Sequence, residues 1–169
     1  IVPHENAKFK NHNIITLKEN CLLTMSEIIT CGRKHSGEVF QFSHFQNLTE
    51  VYYQGRLILK DNVLLEPLLA PLNTVVQLET YTHQGALIHI HTGGRPLGNY
   101  IARIHEIFEM QRDILFGISE MAANGFVLRV LGNGAEQLFD CFKQVEKLLW
   151  EKNVQGESQV ETMKQMIEK

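Results

Sequence analysis

The sequence predicts a mainly β, antiparallel fold with two α-helices in its C-terminal half, on three observations. The first half alternates apolar and polar residues with a period of two, glycine-containing turn steps separate such runs, and two later stretches space their apolar residues as a helix does. In chain order, Leu22, Thr24, Ser26, Ile28 and Thr30 alternate with Leu23, Met25, Glu27, Ile29 and Cys31. One face is mixed and the other largely apolar, as in a strand covered on one side. Gly32 ends this run. Val39 to Phe45 reads as a second strand, with Phe40, Phe42 and His44 on one face. Val51-Tyr52-Tyr53, Gln54-Gly55 and Arg56 to Lys60 then form a hairpin pattern. Val75 to Thr82 and Ala86 to Thr92 flank His83-Gln84-Gly85 and read as another hairpin. Leu97, Ile101, Ile104 and Phe108 recur at helical spacing, leaving Arg103, Glu106 and Arg112 for solvent. Asp113 to Met121 and Phe126 to Leu131 return to β character around Asn124-Gly125, a strong hairpin signal. Beyond Gly132-Asn133-Gly134, a second helix opens at Ala135, with Leu138, Phe139, Phe142, Val145 and Leu149 as its apolar stripe and Trp150 near its end. Residues 1–156 read as one β-rich domain, and residues 157–169 as a polar C-terminal tail with at most a marginal helix.

Composition narrows the function classes. The 169 residues carry 16 Lys+Arg against 19 Asp+Glu, a formal charge of −3, and 44% are hydrophobic. That composition supports a packed core without staples. Scattered cations give no basic stripe for a phosphate backbone, so nucleic acid is not an expected partner. The apolar stretch Val63 to Leu72 is broken by Glu66, Pro67 and Pro71, far short of the roughly 20 residues that span a bilayer. No membrane partner is expected. Cys21, Cys31 and Cys141 are an odd count with no Cys-x-x-Cys pair, which fits reduced thiols and a cytoplasmic location.

Two groups of residues could carry chemistry. His89 and His91 point to one side of a strand, and His83, across the expected hairpin, would supply a third imidazole. That reading makes the chain a small, cupin-like metal-dependent enzyme, although Thr92-Gly93-Gly94-Arg95 stand where a cupin pattern needs a carboxylate. The second group is Glu27, an acid among apolar strand neighbours, and Glu38, which follows Gly37 opposite Arg33. An Arg33 to Glu38 ion pair fixing the loop is the structural alternative for the latter. Gly132-Asn133-Gly134 lacks the Lys-Ser/Thr of a phosphate loop and reads as a helix entry. No Gly-x-Ser-x-Gly is present.

Several blocks together resemble one family. Val2-Pro3-His4-Glu5-Asn6-Ala7-Lys8-Phe9, Ser26 to Arg33 and Ser36-Gly37-Glu38-Val39-Phe40-Gln41-Phe42 occur in the order seen in the urease accessory protein D family (UreD, also called UreH). The resemblance continues through Gly55 to Asp61, Leu65-Glu66-Pro67, Tyr81 to Gly85, Gly117-Ile118-Ser119 and Gly125 to Gly132. It implies a non-enzymatic scaffold that joins accessory proteins F and G in a GTP-dependent chaperone, docks on apo-urease and helps insert nickel. GTPase activity would belong to the G partner. The resemblance also implies a β-rich fold with a C-terminal helical pair, of which this chain is the larger C-terminal part, with further strands upstream. No tightly bound cofactor is expected, only transient nickel. Glu27 and Glu38 are the expected stations of a polar nickel path, with Gly32, Arg33 and Gly37 positioning the loop. His83, His89 and His91 remain the alternative metal ligands.

Overall fold

A computed structural model describes residues 1–72, 74, 77–93 and 97–150. Seven strands and a helix run in the order β1 (Lys8–Leu17), β2 (Leu22–Thr30), β3 (His44–Tyr53), β4 (Arg56–Leu65), β5 (His83–His91), α1 (Tyr100–Glu109), β6 (Leu115–Met121) and β7 (Gly125–Gly132). A second helix, α2, spans 135–150. The strands form two sheets, one of order β1-β3-β4 and one of order β2-β5-β7-β6. All pairings are antiparallel except β1 with β3, which run parallel. The predicted class, mainly β with two helices in the C-terminal half, is the one observed. No described helix is long and apolar enough to cross a membrane.

The layers follow from which faces are apolar. One face of the four-stranded sheet packs on α1 and α2 through Leu87, Phe126, Leu128 and Val130 against Ile104, Phe108, Leu138, Phe142 and Val145. Its other face meets the three-stranded sheet through two separate apolar clusters. One is built on Phe42, Phe45, Val63, Leu65 and Ile29, the other on Leu17, Val51, Ile88 and Ile90. The four-stranded sheet is therefore covered on both sides and the three-stranded sheet on one.

Local chemistry explains the turns. Gln54 and Gly55 both take positive φ, 49° and 74°, as the predicted two-residue hairpin requires. At the β6–β7 turn Met121 pairs with Gly125, so the loop has three residues, with Asn124 left-handed at φ 49°. Four sequence-based expectations are corrected. Residues 39–43 are not a strand, because Phe40 is left-handed (φ 54°) and breaks the extension; β3 starts at His44. His83-Gln84-Gly85 is not a turn but the start of β5. Gly85 is there because the Phe142 ring lies on it, with a ring carbon 2.7 Å from where a Cβ would stand. The expected strand Val75 to Thr82 is not a strand over its described part, because residues 77–80 form a turn; Val75, Val76 and the predicted tail 157–169 lie outside the described residues. Finally, Phe139 leaves the buried stripe of α2: it is exposed, with Lys143 Nζ 4.4 Å from its ring centroid.

Candidate functional site

Between the two apolar clusters the interior of the sandwich turns polar. Alternation along β1 and β3 sends Asn11, Asn13, Asn47 and Thr49 inward, in the same rows as Phe9, Phe45 and Val51. Parallel register sets Asn11 beside Asn47 and Asn13 beside Thr49, and Thr49 in turn pairs with Asp61 of β4. On the opposing sheet Glu27 pairs with Ala86, and Ala86 with Arg129. One polar layer thus runs across the sandwich, from Asn11 and Glu27 on the β1/β2 side to Asp61 and Arg129 on the β4/β6 side.

The layer's polar groups are satisfied in two hydrogen-bonded sets, one at each end, as buried polar groups require. Asn47, 6% exposed, is its centre. Its Nδ2 donates to Glu27 Oε2 at 2.5 Å, and its Oδ1 accepts from Asn11 Nδ2 at 2.8 Å and Asn13 Nδ2 at 3.2 Å. Asn13 also donates to Thr49 Oγ1 at 3.1 Å. At the other end Arg129 Nη2 donates to Asp61 Oδ1 at 2.5 Å, tying the two sheets together. Arg129 also lines a cleft of about 590 Å³ between β4 and β6, with Asn62, Gln84, Gly117 and Leu131. The chemistry offered is oxygen-rich: carboxylates at the two ends and amide and hydroxyl oxygens between. Such donors suit weak, transient contact with a divalent cation and its water. No group of three or more His, Cys, Asp or Glu side chains is arranged to hold a metal among the described residues.

Of the residues singled out in the sequence, Glu27 lies in this layer. Glu38 belongs to a separate network in the loop after β2. Arg33 grips it with both arms, Nε to Oε2 at 2.9 Å and Nη2 to Oε1, and the Glu5 amide donates to Oε2 at 3.1 Å. The guanidinium, aided by the Glu5 N–H and opposed by burial, holds the Glu38 carboxyl below the usual carboxylate range. The predicted ion pair is therefore present, and its two oxygens are occupied. Gly32 and Gly37 shape this loop. Gly37 is left-handed at φ 83° and donates its N–H to Lys34 O. Gly32, at φ 121°, lies where a Cβ would come within 3.0 Å of Glu38 O and 3.1 Å of Pro3 O. Gly32→Ala is accordingly expected to cost ~1–3 kcal/mol, read as a lower urea midpoint; an unchanged midpoint would show that the loop tolerates a side chain there.

The three histidines do not converge. Because β5 is one continuous strand, His83 lies about 20 Å from His89 at roughly 3.3 Å per residue. His83 is buried beside Thr82, whose Oγ1 is 2.9 Å from its Nδ1, and burial together with nearby Lys34 pushes its pKa down. His89 faces the helices, 2.9 Å from Thr24 Oγ1 and against the rings of Phe126 and Tyr100. Burial, reinforced by neighbouring His91, pushes its pKa down to about 4. It is a neutral, packed imidazole at neutral pH.

Sequence reasoning missed Asn11, Asn13, Asn47, Thr49, Asp61 and Arg129. The available signal was the spacing of Asn11 and Asn13, two residues apart and so on one side of a strand whose same-side neighbours are Phe9 and Ile15.

Comparison with known proteins finds relatives of this sequence. A family model described as UreD urease accessory protein matches residues 1–165. The urease accessory protein UreD of Flavobacterium johnsoniae is 52% identical over 150 residues, covering 89% of this chain and 54% of that protein. UreD of Staphylococcus saprophyticus is 32% identical over 149 residues, covering 86% and 52% respectively. UreD of Staphylococcus epidermidis is 28% identical over 151 residues, covering 88% and 54%. The chain spans about half the length of the curated relatives it matches.

Proposed function

Since this chain belongs to the UreD urease accessory protein family, we propose that it is a non-catalytic part of the machinery that matures urease. In this reading it is a scaffold that associates with accessory proteins F and G and with apo-urease. The G partner hydrolyses GTP, and nickel is cargo rather than a resident cofactor. Cytoplasmic assembly is part of the same proposal. The observation that carries it is the 52% identity to an accessory protein over most of the chain.

The polar layer supports a role for the chain in nickel transfer. A borderline cation that must be released again needs carboxylate, imidazole or water stations that bind it weakly, along a route lined with polar groups. Glu27 stands in such a layer, its carboxylate oriented by Asn47. Glu38, buried and held by Arg33, lies outside the layer, in the loop after β2.

The test is co-expression of the full-length protein, including any residues upstream of Ile1, with apo-urease and accessory proteins F and G, followed by nickel analysis. The expected result is a stable complex and nickel-loaded, active urease. Glu27→Ala combined with Glu38→Ala is expected to lower the nickel loaded per urease roughly tenfold while leaving the complex assembled. Full loading by the double variant would remove both residues from the nickel route, and absence of any complex would remove the scaffold reading.

A further inference from the structure

The outer face of the three-stranded sheet has no covering layer among the described residues, and its composition is not that of a plainly solvated face. Alternation along β1 turns Lys8, Lys10, His12 and Ile14 outward, all exposed. Register carries the rows across: Lys10 meets Gln46 and then Leu64, and Ile14 meets Glu50 and then Lys60. An open antiparallel face is ordinarily polar. Here Ile14 is 64% exposed and Leu64 47%, and half-buried Leu48, which pairs with His12 and Asn62, links them on the diagonal, so an aliphatic line crosses the face from β1 to β4, while Leu57, 46% exposed, stands apart beside the hairpin.

Charge supplies the second observation. The chain as a whole is acidic, at −3, yet this face carries Lys8, Lys10 and Lys60 and has Glu50 as its acid. Glu50 is already engaged by His12 at 3.0 Å and by Lys60 at 3.4 Å. The other nearby acid, Glu66, is 3.0 Å from His44 at the rim. Lys8 and Lys10 form no ion pair among the described residues. A cationic, aliphatic-centred face on an acidic protein is electrostatically matched to an acidic surface. Three lysines, one of them already paired with Glu50, are too few to hold the protein on an anionic membrane. We propose that the outer face of the β1-β3-β4 sheet docks an acidic protein surface with an aliphatic centre. This rests on the accessory role proposed above, and it identifies the face through which a maturation partner is held.

The test uses the full-length protein and measures its binding to immobilised apo-urease, alone and with accessory proteins F and G. The triple variant K8E/K10E/K60E is compared with R103E/R112E/K143E, which makes the same charge change on the helical side. The sheet-face triple is expected to bind roughly 10- to 100-fold more weakly, mainly through a slower association rate, with the difference shrinking as salt rises. Ile14→Ser with Leu64→Ser is expected to weaken binding with little salt dependence. Equal loss in both triples would mean that only net charge matters and would overturn the assignment. So would unchanged binding by the sheet-face triple, or its loss of binding to phosphatidylserine vesicles alone. If the wild-type protein binds none of the proteins, the accessory reading itself fails and this surface goes with it.

Discussion

Replacing Phe142 by alanine is expected to destabilise the protein by about 3–5 kcal/mol, the cost of removing a fully buried aromatic ring and leaving its cavity. Phe142 is 1% exposed and belongs to the cluster that binds α2 to the four-stranded sheet. Its ring occupies the space that Gly85 leaves on β5. Gly85 has no side chain to extend into that space, and Leu138, whose Cδ1 lies 3.6 Å from where a Gly85 Cβ would stand, is itself packed in the same cluster. At this chain length the loss corresponds to a fall in Tm on the order of 10 °C. Phe139→Ala, on the same helix but 51% exposed, is expected to change stability by no more than about 0.5 kcal/mol. Urea unfolding of both variants checks the pair, and similar midpoints for the two would mean that α2 is not docked through the Phe142 side.

The second large effect is a dependence of stability on pH set by His89. Its folded-state pKa is about 4, below the ordinary histidine value of roughly 6.5. Above the ordinary value neither state is protonated and His89 contributes nothing to the pH dependence. As pH falls through the interval between the two values, the unfolded chain takes up a proton that the folded chain refuses, so stability declines with acidification. Across that interval the loss amounts to about 3 kcal/mol. The groups around the ring are Thr24, Phe126 and Tyr100, with His91 two residues along the strand. None is an acid that would favour the imidazolium. His89→Gln is expected to flatten the decline between pH 6.5 and 4 while costing some stability at neutral pH. Unfolding free energies measured at four or five pH values give the slope directly, and an equal slope in wild type and variant would assign the decline to other groups.

Much of the fold was legible where the interior is apolar and the backbone regular. The helix of Ile104 and Phe108, the hairpin at Gln54-Gly55 and the strand from Leu22 to Thr30 all announce themselves, because burial and periodicity coincide there. Strand β1 did not, and the reason is physical. Its inward row is Phe9, Asn11, Asn13, Ile15 and Leu17, so the alternation that marks a half-buried strand is interrupted where the strand crosses the polar layer. Gly85 misled in the opposite direction. A glycine between β-rich runs suggests a turn, but here it admits an aromatic ring from a helix more than fifty residues later. Glu27 was visible because an isolated acid in an apolar strand is conspicuous. Its partners were not, since only the fold brings Asn11, Asn13 and Asn47 from two other strands to face it.

The alternation of the chain between the two sheets also governs how it can fold. β1 enters one sheet, β2 the other, and β3 returns to lie against β1, so Asn11 and Asn47, 36 residues apart, must meet with β2 between them in the sequence. Thr24 of β2 waits for His89 of β5, 65 residues on. Neither sheet can be completed from neighbouring segments alone. Loop closure has to be accomplished before the pairing that rewards it, which places this topology among slow folders. On the ribosome, β2 would emerge well before its pairing partner and expose its edge meanwhile. The interval before β5 emerges is when the nascent chain most needs protection from other strands.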